Sequence, residues 1–500
     1  MLKHPKLSKA ALDLVDPAAP ISEGLLLSSS LDELDVIDPA TGEVIGDLAL
    51  SSVADAETAV RRARKAFDDG PWPRMSPKDR HTLLKRLVGV MDSHRDALAE
   101  IGTMEVGTPI SLSRNLHAGA PIAFMDWFAD TALTGPLGGW EERLGTADPN
   151  ATDVSVLFRE PIGVVSAITA YNFPLLITAF KIGGAMAAGC TSILMPSLRT
   201  PLASIALVQC LLEADLPRGL VHVVVGGPDV GRTITTADGV DMVTFTGSVE
   251  IGRQVGVQAT GALKKLVLEL GGKSPNVLLP GVEPADVVGP SVLRFTRNAG
   301  QGCGATTRTL VPRDRYSDYA TAAKDFIDGL TVGDPWDEAT DVGPLIRSDH
   351  RERVQGFVDR AVTAGAVVEA GGGRPDRPGF FVNPILLGNL ENEAEACQEE
   401  IFGPVGVLIP YDTVDEAFEI ANGTRYGLNA NVWGPTEEAL AFARRLKAGT
   451  ITVNGGGPDR PEAPWPGIGD SGVGVDRGLE GFREFFRLRH VQAAASPPRT

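Results

Sequence analysis

The sequence predicts an α/β protein built on two parallel sheets, and three observations support this. From Ile162 to Leu270, short apolar runs such as VVSAITA, LVHVVVG and VDMVTFTG alternate with helical segments. A second alternating series follows Asn276 and ends at GTITVNG. Repeated strand and helix units imply parallel sheets with helices on both faces. The length of 500 residues exceeds what one hydrophobic core normally supports, so at least two domains are expected.

The segments outside the two series have their own patterns. Between Ser52 and Glu105, apolar residues recur at the three and four spacing of amphipathic helices. Residues 132–160 are rich in glycine and polar residues, and they end in SVLFRE, which predicts a short exposed strand. The final AAASPPRT is expected to be a loose tail.

One apolar stretch is long enough to cross a bilayer. Val164 to Cys190 contains a single charge, but Asn172, Pro174 and a glycine pair interrupt it. We therefore predict a strand, a turn and a buried helix, and no membrane span.

Composition excludes several classes of partner. With 46 basic and 64 acidic residues the net charge is -18, which repels phosphate backbones and anionic membrane surfaces, so no nucleic-acid partner is expected. The four cysteines lie far apart without a CxxC pair, and the seven histidines occur singly, so neither disulfides nor a metal site are predicted. The first residues lack the apolar core of a signal peptide, and a reducing, cytoplasmic setting is expected.

The segment NAGQGCGATTRT contains one cysteine, Cys303, among three glycines. Glycines leave the sulfur uncovered and allow backbone to approach a ligand, which suits a nucleophile that attacks a carbonyl carbon. The alternative is a small buried residue on a tight turn, since free cysteine is among the most buried residue types.

In KKLVLELGGKSPNVLL, an apolar run ends in a carboxylate, Glu269, followed one residue later by two glycines. A carboxylate at the end of a buried strand has a raised pKa, which suits a base near neutral pH. The alternative is a solvated cap or the partner of an ion pair.

FTGSVEIG predicts a strand that ends at Gly247 and a helix that begins near Ser248. Free backbone N–H groups at a helix N-terminus bind phosphate, so a pyrophosphate is the expected occupant. A true GxGxxG pattern lies at Gly467 to Gly472, but it follows no predicted strand and is interpreted as a loop.

LELGGKSP and GQGCGA resemble the glutamate and cysteine motifs of the aldehyde dehydrogenase superfamily. ITAYNFP, FTGSVEIG, EEIFGPV and AGTITVNGG follow the order and approximate spacing of that family, so the resemblance covers nearly the whole chain from about Pro161. It implies a Rossmann-type dinucleotide-binding domain at 1–134 and 161–270 and an αβ catalytic domain at 271–480. An oligomerisation arm and C-terminal tail would occupy 135–160 and 481–500, in a homodimer or homotetramer.

The resemblance also implies oxidation of a small-molecule aldehyde to a carboxylic acid. Cys303 would be the nucleophile and Glu269 the base that activates water. The Asn172 amide and the Cys303 backbone N–H would bind the oxyanion, although Asn172 alone is typical of a turn. Lys181 would assist proton transfer, or its side chain would extend to the surface.

NAD is the expected cofactor, with NADP as the alternative. Where the family carries a lysine and a glutamate at the adenosine ribose, this chain has Met195 and Leu198. The absence of the glutamate, with Arg199 adjacent, favours binding of the 2'-phosphate of NADP. The absence of the lysine disfavours it, because a cation is lost. The implied cofactor contacts are Ile168, Thr169, Ala170, Met195, Ser197, Gly227, Phe245, Thr246, Gly247, Ser248, Ile251, Leu270, Gly271, Glu400 and Phe402.

The substrate is less constrained by the sequence. Gly302 and Gly304 are expected to leave room for a bulky aldehyde, with Tyr171 and Trp465 as aromatic lining. Arg297 stands where many relatives carry an aromatic residue, so it would bind a carboxylate-bearing semialdehyde or form a structural salt bridge. Two other functions stay open, a CoA-acylating enzyme, which Glu269 disfavours, and a catalytically silent homologue with impaired cofactor binding.

Overall fold

The computed structural model describes residues 2–136, 139–144, 154–457 and 460–493. Two seven-stranded sheets and a separate three-stranded sheet organise these residues. The predicted α/β architecture is confirmed.

The strands are β1 Leu26–Leu27, β2 Glu33–Ile37, β3 Val44–Ala49, β4 Glu141–Arg143, β5 Val154–Pro161, β6 Val164–Ile168, β7 Thr191–Met195, β8 Val221–Val224, β9 Met242–Thr246, β10 Lys265–Glu269, β11 Pro275–Leu278, β12 Arg308–Pro312, β13 Val367–Gly371, β14 Ile385–Gly388, β15 Val405–Tyr411, β16 Tyr426–Gly427, β17 Asn429–Trp433, β18 Thr450–Val453, β19 Trp465–Pro466, β20 Ile468–Gly469, β21 Gly472–Val473, β22 Val475–Asp476 and β23 Phe486–Ala493.

The α-helices are α1 Lys9–Leu14, α2 Ala18–Ser22, α3 Val53–Asp69, α4 Pro77–Ser93, α5 Arg95–Val106, α6 Ile110–Ser113, α7 Ala120–Thr134, α8 Pro174–Thr178, α9 Gly184–Ala188, α10 Leu202–Glu213, α11 Pro228–Thr236, α12 Val249–Gly261, α13 Pro284–Thr296, α14 Tyr316–Asp328, α15 Ser348–Thr363, α16 Glu395–Gln398, α17 Val414–Asn422, α18 Thr436–Ala443 and α19 Gly478–Arg483. Short 3-10 turns cover Trp72–Arg74 and Arg313–Arg315, a turn with left-handed backbone covers Arg297–Gly300, and π-helical turns cover Arg114–Gly119 and Ala179–Gly183.

The first sheet has the strand order β1-β8-β7-β6-β9-β10-β21. Its strands run parallel except for the last pair. The chain leaves β6 on one side through β7 and β8, and it returns to β9 on the other side. This reversal places a topological switch point between β6 and β9, where open α/β sheets bind ligands beyond the carboxyl ends of their strands.

Consecutive residues of β6 bury against different hydrophobic cores. Val164 belongs to one cluster and Val165 to another, so the first sheet has a core on each face. Because both faces are covered, the central strands are mainly apolar and do not alternate regularly with exposed polar residues. This burial explains why short continuous apolar runs marked these strands in the sequence.

The predicted strand, glycine and helix of FTGSVEIG are present. The strand β9 ends one residue before Gly247, and Ser248 caps α12 by accepting a hydrogen bond from the backbone N–H of Ile251 at 3.4 Å. The GxGxxG segment at 467–472 instead contains the two-residue strand β20 and the first residue of β21. Gly472 pairs with Glu269, so this segment closes the edge of the first sheet.

The second sheet has the strand order β13-β14-β15-β12-β11-β17-β18, and only β13 and β14 are antiparallel. The loop that carries Cys303 lies between α13 and the central strand β12. The parallel sheet of the second αβ series is therefore confirmed, and it brings the cysteine loop to the same cleft as the first sheet.

The three-stranded sheet has the order β23-β5-β4. The predicted exposed strand is half-buried along β5, and it pairs with β23 over its full length from Pro161 to Val154. The predicted tail remains paired up to Ala493, and residues 494–500 lie outside the described residues, as do 137–138 and 145–153 of the predicted arm. The proposed domain boundaries stay predictions.

The long apolar stretch forms β6, α8, a π-helical turn and α9, as predicted. No helix within the described ranges combines the length and the apolar character needed to cross a membrane. The amphipathic pattern between Ser52 and Glu105 forms α3, α4 and α5, and α3 packs on β7 and β8.

Candidate active site

A cavity of about 720 Å³ opens at the switch point of the first sheet. Every predicted cofactor residue lines it, from Ile168 at the end of β6 to Phe402 in the segment before β15. Cys303, Glu269 and Asn172 line the same cavity. These three predicted catalytic residues and the predicted cofactor contacts, which are far apart in sequence, therefore line one cavity.

Cys303 is half-buried, whereas the other three cysteines are buried, and all four are free thiols. Burial raises the pKa of the Cys303 thiol to about 12, and the nearby Glu400 and Glu269 carboxyls add to this shift. The thiol is therefore protonated in the protein as it stands. Its access to the cavity separates it from a buried structural cysteine, and the thiol must lose its proton before the sulfur can attack.

Glu269 ends β10 and is only 5% exposed. Neither carboxyl oxygen has a hydrogen-bond or ion-pair partner among the residues described. Burial raises the pKa of Glu269 well above its usual value, and the Asp476 carboxylate acts in the same direction. A solvated cap or an ion-pair partner would not be arranged in this way. An unpartnered buried acid is costly, which favours a functional role.

Lys181 lies on the π-helical turn after α8 and is fully buried. Its Nζ donates hydrogen bonds to Thr244 Oγ1 and to Asp476 Oδ2, each at 2.8 Å. The side chain therefore does not extend to the surface. The sequence gave no indication of Asp476, because it lies 295 residues from Lys181 and follows no recognisable pattern.

Asn172 is 2% exposed and faces the cysteine loop. Its Nδ2 donates a hydrogen bond to the carbonyl oxygen of Gln301 at 2.9 Å, which uses one of the two amide hydrogens. The second hydrogen has no partner in the part of the chain that the structure describes. Asn172 is thus fixed against the nucleophile loop with a donor to spare, beyond what a turn requires.

The Tyr171 ring packs with three side chains of the cofactor cleft. Its centroid lies 5.8 Å from that of Phe402, 6.2 Å from that of His350 and 5.4 Å from the Arg199 guanidinium carbon. This packing places the Tyr171 ring among side chains of the cofactor cleft, and its role in lining the aldehyde pocket stays a prediction. His350 and Arg353 line the cleft as well, and the sequence motifs did not include them.

Phe402 has a left-handed backbone with φ 61°. Such a conformation is uncommon for an aromatic residue and requires support from its surroundings. His350 provides it, because its Nε2 donates a hydrogen bond to the Phe402 carbonyl oxygen at 2.7 Å. The Phe402 ring, an implied cofactor contact, is therefore held in a strained but fixed position.

Glu400 is half-buried, and partial desolvation raises the pKa of its carboxyl group to about 7. Its Oε1 accepts a hydrogen bond from the backbone N–H of Gly272 at 3.0 Å. A Cβ at Gly271 would lie 2.3 Å from Glu400 Oε2. The first glycine of LELGG therefore allows a carboxylate to approach the strand end, which explains the glycine pair after Glu269.

Gly304 was expected to leave free space beside the nucleophile, but the structure fills that space. A Cβ there would lie 2.9 Å from the Trp465 ring, so the room that Gly304 provides is filled by that aromatic side chain. A Cβ at Gly302 would meet nothing closer than 4.0 Å. Trp465 is thus placed beside Cys303, and Gly302 is the glycine that leaves open space.

Arg297 follows α13 and is exposed. No ion pair in residues 2–136, 139–144, 154–457 or 460–493 involves it, so the predicted structural salt bridge is not found there. Its charge reaches Arg294, whose pKa is lowered first by burial and then by Arg297. A role in binding a substrate carboxylate stays a prediction.

Arg199 is committed to other contacts in the cleft. Its Nη2 lies 2.5 Å from Asp349 Oδ2, and its guanidinium stacks on Tyr171. Met195 and Leu198, which occupy the predicted ribose positions, both line the cavity. Because Arg199 is already paired, the cation that would favour a 2'-phosphate is largely neutralised.

The chain is similar to known proteins over most of its length. The family model described as the aldehyde dehydrogenase family matches residues 26–491. A geranial dehydrogenase of Castellaniella defragrans is 33% identical over 466 residues, covering 92% of this chain and 95% of that protein. An aldehyde dehydrogenase of Mycobacterium tuberculosis, solved with NAD+, is 37% identical with a TM-score of 0.89, covering 93% of this chain and 95% of that one.

A third relative adds a bound aldehyde. A variant of aldehyde dehydrogenase C from Pseudomonas syringae, solved with NAD+ and octanal, is 34% identical with a TM-score of 0.89 and covers 95% of each chain.

Proposed function

The chain belongs to the aldehyde dehydrogenase family, and from that premise we propose that it oxidises an aldehyde to the carboxylic acid with NAD. One observation carries the proposal: a half-buried thiol and an unpartnered buried carboxyl group open into a single cavity lined by the predicted cofactor residues. Relatives solved with NAD+ support the choice of cofactor.

The cleft fits a dinucleotide. Its volume of about 720 Å³ lies within the range of pockets that bury organic ligands. The N-terminus of α12 presents free backbone N–H groups beside Gly247 and Ser248, where a pyrophosphate would bind. Glu400 and Phe402 would hold the nicotinamide end. When bound, NAD supplies the hydride acceptor for the oxidation.

The chemistry begins at Cys303. The thiol first loses its proton to water in the cleft. The thiolate then adds to the aldehyde carbon, so that a C–S bond forms and the carbonyl π electrons move to oxygen. The negative oxygen accepts hydrogen bonds from the second Nδ2 hydrogen of Asn172 and from the Cys303 backbone N–H. When this adduct loses hydride from the same carbon, the acyl group remains on Cys303 as a thioester.

Glu269 then acts in hydrolysis. Its carboxylate removes a proton from water, the hydroxide adds to the thioester carbon, and the C–S bond breaks to release the carboxylic acid and the thiolate. Burial favours this role because it raises the pKa of Glu269 toward the working pH. The Lys181 and Asp476 ion pair lies behind Glu269, where it sets the local charge and would assist proton removal.

A CoA-acylating reaction is the alternative function. It needs no activated water, so a buried base beside the thiol has no role in it. Acyl-CoA formed when CoA is added would support this alternative. If a broad aldehyde panel gave no reduction of NAD or NADP, that result would contradict oxidation and favour a catalytically silent homologue.

We also propose a cytoplasmic homodimer or homotetramer assembled through the three-stranded sheet. Leu488 and Val491 on β23 are 65% and 45% exposed, so a single chain leaves apolar side chains of this sheet exposed to solvent. Molar mass measured by light scattering tests the assembly, and a monomer would contradict it.

We expect NAD to bind more tightly than NADP, and Leu198→Glu to widen the difference. The new carboxylate would accept hydrogen bonds from the ribose hydroxyls and repel a 2'-phosphate. A charged hydrogen bond of this kind strengthens NAD binding by about tenfold. Fluorescence titration with both dinucleotides measures the effect.

The matched control is Leu263→Glu, which adds the same charge at a 95% exposed leucine outside the cleft. It should leave both dissociation constants unchanged. Equal or tighter binding of NADP by the unsubstituted protein would reverse the cofactor preference.

The rate of thioester hydrolysis should rise with pH through a pKa above the usual glutamate value. Glu269 can take a proton from water only when its carboxyl group is ionised. Burial raises the pKa of this group, so it is protonated and inactive below that raised pKa. Asp476→Asn removes a like charge and leaves Lys181 unneutralised. Both changes lower the Glu269 pKa, so the rising limb should move to lower pH.

Single-turnover hydrolysis across a pH series measures this shift. Asp470→Asn is the control, because the Asp470 carboxylate pairs with Arg253 and Arg425 and is not among the charges that shift the Glu269 pKa. A limb that moves equally in both variants, or moves to higher pH in Asp476→Asn, would argue against Glu269 as the titrating base.

A further inference from the structure

The nucleophile loop begins with three consecutive left-handed residues. Asn298 has φ 50° and ψ 39°, Ala299 has φ 52° and ψ 33°, and Gly300 has φ 72°. The first two are not glycine, so the surrounding structure must hold them in this conformation. A Cβ at Gly300 would lie 2.1 Å from the Gly403 carbonyl oxygen, which explains the glycine at that position.

The amide nitrogen and the amide oxygen of the Asn298 side chain both form hydrogen bonds that hold this turn. Its Nδ2 donates a hydrogen bond to the Asn172 carbonyl oxygen at 3.0 Å, and its Oδ1 accepts one from Thr108 Oγ1 at 2.6 Å. The Asn298 carbonyl oxygen also accepts from Gln301 Nε2 at 3.2 Å. All four side chains are at most 2% exposed.

His117 completes the network on the side remote from the cavity. Its Nε2 lies 2.8 Å from Thr108 Oγ1. The single hydroxyl hydrogen of Thr108 is already given to Asn298, whose Oδ1 can only accept, so His117 Nε2 must carry a hydrogen and donate it to Thr108. Burial lowers the pKa of His117 to about 3, so the ring stays neutral.

The backbone around His117 is adapted to its ring. His117 lies on the π-helical turn Arg114–Gly119, a feature that is frequent at functional sites. A Cβ at Gly102 would lie 2.3 Å from His117 Cγ, so the facing helix contributes a glycine at the contact. The imidazole therefore has one orientation, with its donor directed at Thr108.

These contacts form one chain from His117 through Thr108 and Asn298 to Asn172. We propose that Thr108 and His117 are positioning residues that hold the nucleophile loop and the Asn172 amide in the arrangement needed to bind the oxyanion. The inference rests on the proposed function, in which Asn172 donates to the substrate oxygen. Neither residue lines the cavity or touches the reacting atoms.

The test compares Thr108→Val with Thr108→Ser and Thr103→Val. Valine keeps the shape of threonine but leaves Asn298 Oδ1 and His117 Nε2 unpaired, so the amide and the loop lose their fixed geometry. We expect kcat to fall about tenfold to a hundredfold with KM changed less than about twofold, because misplacing an oxyanion donor affects the transition state selectively. Thr108→Ser retains the hydroxyl and should restore kcat.

Thr103→Val is the matched control, since Thr103 is fully buried and its hydroxyl has no hydrogen-bond partner in the described ranges. It should leave kcat unchanged. A kcat for Thr108→Val within about twofold of the unsubstituted enzyme, or an equal loss in Thr103→Val, would overturn the proposal.

A second pair of variants addresses the case in which Thr108→Val does not fold. His117→Gln keeps a donor near the Nε2 position and should retain most of kcat, whereas His117→Met removes the donor and should lose it. Equal losses in both would contradict the assigned hydrogen bond.

Hydrogen exchange of residues 298–303 provides a measurement that needs no aldehyde. We expect exchange in this segment to be at least about fivefold faster in Thr108→Val and unchanged in Thr103→Val. If the unsubstituted protein oxidises no aldehyde, the proposed function fails, and this measurement still decides whether Thr108 holds the loop. Unchanged exchange in Thr108→Val would overturn the positioning role by itself.

Discussion

Cys303→Ala is expected to reduce aldehyde oxidation by at least about 10⁴-fold, because no other group can form the covalent adduct. The other cysteines are buried, and none of them lines the cavity described at the switch point. Cofactor binding should persist, since the Cys303 side chain is small and the α12 N-terminus and the Glu400 region remain intact. NADH formation with an aldehyde panel and an independent NAD titration measure the two properties separately.

The matched control for this substitution is Cys210→Ala, which removes a buried thiol from α10 outside the cavity. It should lower stability without a comparable loss of activity, because the thiol packs in the core and takes no part in the reaction. Full activity in Cys303→Ala would refute the nucleophile assignment. Loss of NAD binding in that variant would indicate that the substitution disturbs the cleft and not the chemistry alone.

The part of the site that the sequence predicted consists of contiguous motifs at strand ends. Glu269 and Gly247 each follow an apolar run, and parallel strands end at the same edge of a sheet, so local patterns were sufficient to bring them together. The family resemblance supplied Glu400 and Phe402, and the structure brings both to the same cavity.

Residues that act through distant partners could not be predicted in this way. Asp476 meets Lys181 across 295 residues, and Thr108 meets Asn298 across 190. No periodicity or motif connects such pairs, because only tertiary packing decides which buried polar groups meet. The same limit explains Gly304, whose missing side chain accommodates Trp465 and does not open the pocket.

Glu269→Gln is expected to form one NADH per active site and then nearly stop, with the steady rate reduced by roughly 10² to 10⁴-fold. The amide has nearly the same shape as the carboxyl group but cannot take a proton from water, so the thioester on Cys303 accumulates. Thiol activation should not suffer, since the Glu269 carboxyl raises the pKa of Cys303 and its loss lowers that pKa. Rapid-mixing measurement of NADH resolves the burst from the steady rate.

Hydroxylamine distinguishes a stalled thioester from a damaged site. This amine attacks a thioester without help from a base, so its addition should restore turnover in Glu269→Gln and yield the hydroxamate in place of the acid. Glu250→Gln is the matched control, because Glu250 lies exposed in the first turn of α12 and outside the cavity lining, and it should turn over normally. A steady rate in Glu269→Gln equal to that of the unsubstituted enzyme, or the absence of any burst, would contradict a base that acts only after the thioester has formed.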